Sequence, residues 1–253
     1  MMNDDNQISK VTKLFGFIGE YAGVSRFAAL VNKKCKADSY DMMMIPMNIR
    51  EDDLFFTLAN MKKSHVNGAI ISNEYREKAV EVLDVKSELV TKSGMCDIIF
   101  KEGETLRGDI FTTRVLLEKL KDVGVRTIAL LGINSHAKAF ALMACGFEVH
   151  YFYDSLEELM SFCDALDLKE ADVNRITSGM NLDFSTYDAV LDFSDFENLD
   201  MIEKLAVHNF DMKNKKEYSS LKTRASHLNT LYVGYDDLID ELTTQAYRAI
   251  VKG

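Results

Sequence analysis

The sequence has no long hydrophobic run, no excess of positive charge and no closely spaced cysteine pair. No apolar run reaches the roughly 20 residues that cross a bilayer, and the polar start MMNDDNQISK lacks the apolar core of a signal peptide. A net charge of −10 disfavours broad binding to nucleic-acid phosphates. We therefore expect a cytoplasmic protein with neither a membrane nor a nucleic acid as partner.

The cysteines are few and isolated. None belongs to a C-x-x-C pair, and none has a histidine at zinc-ligand spacing; they are Cys35, Cys96, Cys145 and Cys163. This pattern favours reduced structural thiols over disulfides or a zinc site. An acidic run after a predicted strand could suggest a hard cation; it contains Asp192, Asp195, Glu197 and Asp200. Its spacing is irregular, so we interpret it as a solvated loop and predict no metal site.

Strand and helix patterns alternate along the 253 residues, of which 47% are apolar. Strands are predicted at Leu14–Ile18, Tyr40–Met47, Gly68–Ser72, Val125–Leu131, Phe147–Tyr153, Tyr187–Phe193 and Leu231–Tyr235. Helices are predicted at Val24–Lys33, Glu51–Lys63, Glu74–Leu83, Thr112–Val123, Ser135–Ala144, Ser155–Phe162 and Leu238–Val251. Strands separated by helices imply parallel pairing, because parallel neighbours need crossover connections. The chain is long enough for one large α/β domain or two small ones.

A glycine-led turn joins the strand Val125–Leu131 to the next helix. The dinucleotide pattern G-x-G-x-x-G/A falls on Gly132, Ile133, Asn134, Ser135, His136 and Ala137. Gly132 suits the tight turn and Ala137 is small, but Asn134 replaces the glycine that lets a pyrophosphate approach the backbone. The helix start would still offer free N–H groups to an anion. An altered nucleotide site and a plain strand-to-helix turn both stay open, and His136 could touch a phosphate or be solvated.

Asp154 follows the next strand, 22 residues after Gly132. An acid at this place can accept the ribose hydroxyls of NAD and would repel the 2′-phosphate of NADP. The alternative is a surface acid in the first turn of a helix. If a nicotinamide cofactor binds, we therefore expect NAD in preference to NADP.

The runs IISNEYR at 70–76 and GDIFTT at 108–113 each adjoin a predicted strand or helix. Position by position they resemble the segments Asn-Val-Thr-x-Pro-x-Lys and Gly-Tyr-Asn-Thr-Asp-Gly of the shikimate dehydrogenases. In this resemblance Arg76 stands at the catalytic lysine and Thr112 at the catalytic aspartate.

Other segments resemble the same family. Gly94 to Ile98 matches Gly-Ala-Val-Asn-Thr with Asp97 at the asparagine, and Ala22 and Val24 stand at the serines of a Ser-x-Ser-Pro loop. The segment Gly234 to Leu242 matches Gly-Leu-x-Met-Leu-x-x-Gln, with Glu241 at the glutamine. The run Asp192-Phe193-Ser194 stands at the family's Asn-Ala-Thr loop. The resemblance assigns substrate binding to Ser72, Asp97 and Glu241.

The resemblance implies an α/β fold of two domains. Residues 1–111, joined by the C-terminal helix 238–253, would form a three-layer α/β substrate-binding domain. Residues 112–237 would form a Rossmann-like dinucleotide-binding domain.

The chemistry at Arg76 and Thr112 differs from that of the family. Arginine, with a pKa above about 12, does not readily release a proton, and threonine is not a carboxylate base. Arg76 could still clamp a carboxylate or phosphate, or merely pair with a surface acid: Glu74, Glu77 or Asp97. Replacement proton-transfer groups could come from Tyr75, Asp97 or Asp109.

Two functional hypotheses follow. The first is a shikimate dehydrogenase-like pseudoenzyme that binds a small anion or a dinucleotide, or serves as a scaffold. The second is an active, divergent NAD(P)-dependent oxidoreductase acting on another small hydroxy or keto acid. NAD, less readily NADP, or no cofactor remain alternatives, as do a monomer and a homodimer.

Overall fold

The computed structural model describes residues 11–153, 156–177, 179–212 and 219–252, except for the side chain of Ala171. These residues form two compact units. The first contains residues 11–90, 95–112 and 240–252, and the second contains the described residues of 91–94 and 113–239. The substrate-binding and dinucleotide-binding roles assigned to the two domains stay predictions.

The first unit is built on a six-stranded mixed sheet. Its strands are β1 (Lys13–Gly19), β2 (Met42–Asn48), β3 (Val66–Ile71), β4 (Val85–Lys86), β5 (Ile98–Glu102) and β6 (Thr105–Asp109), in the order β2-β1-β3-β5-β6-β4. Three helices occur along this stretch: α1 (Phe27–Ala37), α2 (Leu54–Met61) and α3 (Glu88–Ser93). Strand β1 is parallel to β2 and β3, as the alternation predicted.

The strands β5 and β6 were missed in the sequence, and they pair antiparallel with each other. Strand β5 is also antiparallel to β3. Only Gly103 and Glu104 separate β5 from β6, and a two-residue connection can join only antiparallel strands. Gly103 has a φ of +65°, a left-handed conformation that glycine adopts without a steric penalty. The expectation of an all-parallel arrangement was therefore wrong for this half of the sheet.

The helix predicted at Glu74–Leu83 is not an α-helix. Two short 3₁₀ turns, Asn73–Tyr75 and Lys78–Val82, replace it. The carbonyl of Arg76 accepts the backbone N–H of Cys96 at 2.9 Å, and the N–H of Val80 donates to Glu77 rather than to Arg76. Because that carbonyl bonds to another segment, the regular helical ladder is interrupted here.

The second unit contains a six-stranded parallel sheet. The chain enters through α4 (Thr112–Asp122) and continues through β7 (Thr127–Leu131), α5 (Ser135–Met143), β8 (Glu148–Tyr153), α6 (Leu159–Leu166), β9 (Val173–Arg175), β10 (Leu182–Asp183), β11 (Ala189–Asp192), β12 (Ile202–Lys204), β13 (His208–Asp211), α7 (Ser220–Leu228) and β14 (Leu231–Gly234). The sheet order is β14-β13-β11-β7-β8-β9, and a second, two-stranded sheet pairs β10 with β12.

Strand β7 lies in the middle of this sheet, and its residues from Ile128 to Leu131 are 0% exposed. That burial confirms the prediction of a strand covered on both faces. The parallel sheet with intervening helices confirms a two-domain α/β class with a Rossmann-like second domain. The final helix, α8 (Ile239–Lys252), falls in the first unit apart from its first residue.

Within the described ranges, no helix is both long enough and apolar enough to cross a membrane.

Candidate functional site

Arg76 follows β3 and is buried, with 5% of its surface exposed. Its Nε donates to the carbonyl of Ile71 at 3.4 Å. Among the described residues, none accepts a hydrogen bond from either Nη. The alternative in which Arg76 pairs with an acid at the surface was therefore wrong, because the side chain is interior. Glu74, one of the acids considered, instead accepts the Ser72 hydroxyl at 2.6 Å and the backbone N–H of Glu20 at 2.9 Å.

Asp97 is fully buried just before β5, and its carboxylate holds the start of helix α4. One oxygen accepts the backbone N–H of Phe111 at 2.8 Å. The other accepts the backbone N–H of Thr112 at 3.0 Å and also the Thr112 hydroxyl. Three donors therefore converge on one carboxylate, which satisfies N–H groups that the helix itself leaves unpaired.

The two positions of the altered catalytic pair thus meet the same carboxylate. Thr112 reaches Asp97 by hydrogen bonds, and the charge of Arg76 acts on it electrostatically. In the family segments an aspartate stands at position 112 and an asparagine at position 97. Here a carboxylate stands at 97 and a hydroxyl at 112, and the two are hydrogen-bonded to each other.

Burial raises the pKa of the Asp97 carboxyl above its ordinary value. The positive charge of Arg76 and the hydrogen bonds from Thr112 and Phe111 oppose this effect only in part. A carboxyl whose pKa is raised by burial beside a specific charge is a feature shared by functional sites and by structural ion pairs.

The raised pKa predicts a pH effect on stability. A folded-state pKa above the unfolded value of about 3.9 means that the folded protein binds this proton first. The contribution of Asp97 to the free energy of unfolding therefore increases as pH falls from neutrality towards about 4. We expect the unfolding free energy of the parent protein minus that of Asp97→Asn, measured with urea, to be larger at about pH 5 than at about pH 7. Subtraction of the two unfolding free energies cancels the titration of surface carboxyls that both proteins share. A subtracted value that is the same at both pH values, or smaller at about pH 5, would refute the raised pKa of Asp97.

Tyr75 and Asp109, the other two candidates for replacement proton transfer, form hydrogen bonds with other groups. The Tyr75 hydroxyl donates to the carbonyl of Ile49 at 2.8 Å, and burial together with negative charges that include Glu20 raises its pKa to about 12. Asp109 accepts the N–H of the next residue, Ile110, at 2.8 Å. Of the three candidates, only Asp97 therefore contacts a position of the catalytic pair.

The remaining predicted substrate residues lie in the first unit. Ser72 is buried at the end of β3, and its hydroxyl is engaged by Glu74. Glu241 is half-buried in the first turn of α8. Their assignment to substrate binding stays a prediction.

The glycine-led turn in the second unit keeps one part of a nucleotide loop and changes another. Gly132 has a φ of +88°, and a Cβ there would lie 2.8 Å from the backbone nitrogen of Ser194, so glycine is required. Asn134 caps α5: its Oδ1 accepts the N–H of Ala137 at 3.1 Å, and its Nδ2 donates to the carbonyl of Phe193 at 2.7 Å. The amide that a phosphate would use is therefore already bonded, so this loop fits a pyrophosphate poorly.

Three of the other predicted cofactor residues lie in helix α5. Ser135 and His136 are half-buried in the first turn of α5, and Ala137 is fully buried. Asp154 lies outside the described residues. No group of three or more His, Cys, Asp or Glu that could hold a metal ion occurs in the described part of the chain.

A buried acid at the carboxyl end of the parallel sheet was missed in the sequence. Asp211 ends β13, is 1% exposed and stands in register with Asp192 at the end of β11. Asp192 is also 1% exposed, so its interpretation as part of a solvated loop was wrong. Asp192 accepts the N–H and the hydroxyl of Ser194 at 2.9 and 2.6 Å. The short strand His208–Asp211 has too little pattern to be recognised alone, so only the pairing of strands brings the two acids together.

Comparison with curated proteins finds shikimate dehydrogenases. The chain is 26% identical over 149 residues to the shikimate dehydrogenase (NADP(+)) of Dictyoglomus turgidum, which covers 57% of this chain and 54% of that protein. It is 28% identical over 131 residues to the same enzyme of Clostridium perfringens, covering 50% of this chain and 48% of that protein. The matched segments thus span about half the length of these relatives. No family model matches the chain.

Solved structures share the fold across almost the whole chain. The shikimate dehydrogenase of Aquifex aeolicus gives a TM-score of 0.74 at 16% identity, covering 96% of this chain and 95% of that one. The shikimate 5-dehydrogenase of Listeria monocytogenes, in complex with shikimate and NAD, gives 0.71 at 14% identity, covering 98% and 94%. The 5-ketofructose reductase of a Gluconobacter strain gives 0.71 at 15% identity, covering 93% and 90%. In sequence over about half of its length, and in fold over almost all of it, this chain is similar to the shikimate dehydrogenases.

Proposed function

We propose that this chain is a shikimate dehydrogenase-like protein that has lost the interconversion of 3-dehydroshikimate and shikimate and retains the binding of a small anion or a dinucleotide. The observation that carries the proposal is the arrangement around Asp97. The residues at both catalytic positions, Arg76 and Thr112, act on this one buried carboxylate.

The chemistry of these groups supports loss of the family reaction. Proton transfer during hydride exchange needs a group whose pKa can approach the working pH. Arg76 keeps its proton, and the Thr112 hydroxyl is bonded to Asp97. Asp97 itself is 0% exposed, and both of its oxygens accept backbone N–H groups, so neither is left open to a substrate hydroxyl. The direct test is an absorbance assay of shikimate and quinate oxidation with NAD and with NADP.

One observation favours a second candidate, an active and divergent NAD(P)-dependent oxidoreductase on a different small hydroxy or keto acid. A carboxylate is still present at the altered pair, in Asp97, and a reductase named for another substrate, 5-ketofructose, shares the fold. Under this alternative, Asp97→Asn would abolish oxidation of some hydroxy acid in a substrate panel. Absence of NAD(P)H formation with every acid in the panel would count against it.

The weak fit of the glycine-led turn leads us to expect weak or absent NAD binding and still weaker NADP binding. Asn134→Gly is expected to strengthen NAD binding by about tenfold, since it frees the Ala137 amide and lets a phosphate approach the backbone. Calorimetric titration of the parent protein and of Asn134→Gly with NAD and with NADP measures the change in affinity. Asn174→Ala is the matched control, because Asn174 is an exposed asparagine of the same unit whose side chain donates to the Tyr151 carbonyl.

The same titration tests Asp154. Asp154→Ala is expected to weaken NAD binding more than NADP binding, because the acid would accept ribose hydroxyls and repel a 2′-phosphate. Tight NADP binding by the parent protein would contradict both expectations. So would an NAD affinity that neither substitution changes.

The cellular location, the class of partner and the oligomeric state are also proposed. With a net charge of −10, the protein is proposed to act in the cytoplasm, on small molecules rather than nucleic acids or membranes. A monomer and a homodimer are both retained as proposals, and light scattering at several concentrations separates them.

A further inference from the structure

We propose that Arg76 anchors a binding site for a small oxyanion, such as a carboxylate or sulfate group, which accepts hydrogen bonds from both of its Nη atoms. This inference rests on the proposed function, since it names the chemical class and the anchoring residue of the anion. The family's lysine is a point charge, whereas the arginine presents a planar fork that suits two oxygens at once.

Arg76 is a buried cation whose hydrogen bonding is incomplete. Arg76 is 5% exposed, and a guanidinium carries five N–H donors. Only the Nε–H has a partner among the described residues, the Ile71 carbonyl at a long 3.4 Å. Neither Nη is among the wholly buried side-chain atoms without a hydrogen-bond partner in the described residues, so both keep some accessible surface. The four remaining N–H donors therefore have no acceptor among the described residues and stay accessible to a ligand.

The carboxylate of Asp97 is already occupied by other hydrogen-bond donors. Asp97 is the carboxylate on which the charge of Arg76 acts, yet its oxygens accept Phe111 N–H, Thr112 N–H and the Thr112 hydroxyl. No ion pair within 4.0 Å joins Arg76 to Asp97 in the described structure. The negative charge of Asp97 therefore balances the positive charge of Arg76 without accepting hydrogen bonds from it. The Nη donors of Arg76 stay available to a ligand.

The burial of Arg76 limits the size of the ligand group, since 5% of its surface is exposed. Ser72, Asp97 and Thr112 are also buried, whereas Glu74 and Glu77 are exposed. A compact oxyanion, free or as one end of a small acid, suits this degree of burial.

The pH dependence of anion binding distinguishes a ligand-binding arginine from one that is only structural. An oxyanion at Arg76 places a second negative charge near Asp97, which favours the protonated form of that carboxyl. The titratable or charged groups nearest Asp97 are Arg76, the buried thiol of Cys96 and Asp109, whose carbonyl accepts the Asp97 N–H. Anion binding is therefore expected to take up a proton and to tighten as pH falls.

The experiment is calorimetric titration of the full chain with sulfate and with acetate at constant ionic strength, with chloride as the reference anion. Sulfate does not titrate near neutrality, so its affinity between about pH 5 and about pH 8 reports on the protein. We expect Arg76→Gln to weaken sulfate and acetate binding by about 10–100-fold, the loss of a bidentate charged hydrogen bond. Arg76→Lys should be intermediate, and Asp97→Asn should remove the pH dependence.

Two variants keep the test decisive. Arg107→Gln is the matched control, because Arg107 is a partly exposed arginine of the same unit that pairs with Glu102, and it should bind like the parent. Arg76→Gln with Asp97→Asn removes both charges together, so it keeps the interior neutral if the single variant does not fold. Binding by that double variant equal to the parent's would overturn the proposal, as would no binding of either probe to the parent protein.

The outcome is separable from that of the proposed function. Turnover of shikimate by the parent protein would refute the loss of activity without affecting the sulfate titration. Sulfate and acetate binding that does not depend on Arg76 would refute the oxyanion site while leaving the loss of activity intact.

Discussion

Purified protein is expected to oxidise neither shikimate nor quinate at a useful rate with NAD or NADP. General acid–base groups alone contribute roughly 10²–10⁴ to an enzymatic rate, and the lysine and aspartate of the family are replaced here by Arg76 and Thr112. The structure adds that the Thr112 hydroxyl is bound to Asp97 rather than free. Absorbance of the reduced nicotinamide, followed in both directions, measures the rate. Turnover on the order of 1 s⁻¹ or more, within the ordinary enzyme range, would contradict the expectation.

A triple variant is the control for this assay. Arg76→Lys, Asp97→Asn and Thr112→Asp bring the family's residues back to the altered pair. Thr112→Asp alone would set a second carboxylate against Asp97, because the Thr112 hydroxyl already contacts it. Comparison of the triple variant with the parent in the same assay, beside an authentic shikimate dehydrogenase, separates a lost proton-transfer pair from a lost substrate pocket.

Asp97→Ala is expected to lower the free energy of unfolding by about 3–5 kcal/mol, the largest stability effect of any single change considered. Removal of the carboxylate leaves two backbone N–H groups and the Thr112 hydroxyl without their acceptor in the interior. It also leaves the buried charge of Arg76 uncompensated. Urea unfolding followed by far-ultraviolet circular dichroism gives the value.

Two matched variants test the cause of that loss. Asp97→Asn should cost less than Asp97→Ala because the amide oxygen still accepts a hydrogen bond. It should not be neutral, because the amide NH2 then faces a donor and the charge of Arg76 stays uncompensated. Asp109→Ala removes a nearby carboxylate that accepts the N–H of Ile110 and no other donor in the described part of the chain, and it should cost about 1 kcal/mol or less. Equal losses for Asp97→Ala and Asp109→Ala would show that Asp97 does not hold the start of α4.

The sequence alone determined the features that arise from local pattern. Alternation of apolar strands and helices predicted β1, β3, β7 and β8, and the continuous apolar run predicted that β7 is covered on both faces. The runs at 70–76 and 108–113 predicted the resemblance to the shikimate dehydrogenases. Gly132 was recognised because only glycine suits a left-handed turn against a neighbouring backbone.

Only the tertiary structure decided how distant residues meet. Asp97 and Thr112 are 15 residues apart, and nothing in either segment indicates that one carboxylate caps the helix begun by the other. The pairing of Asp192 with Asp211 depends on the register of two strands, and the broken helix after Ser72 depends on a carbonyl taken by Cys96. The physical reason is that residue pattern reports which side of an element is apolar. The partner of a buried polar group is fixed only when separate elements pack together.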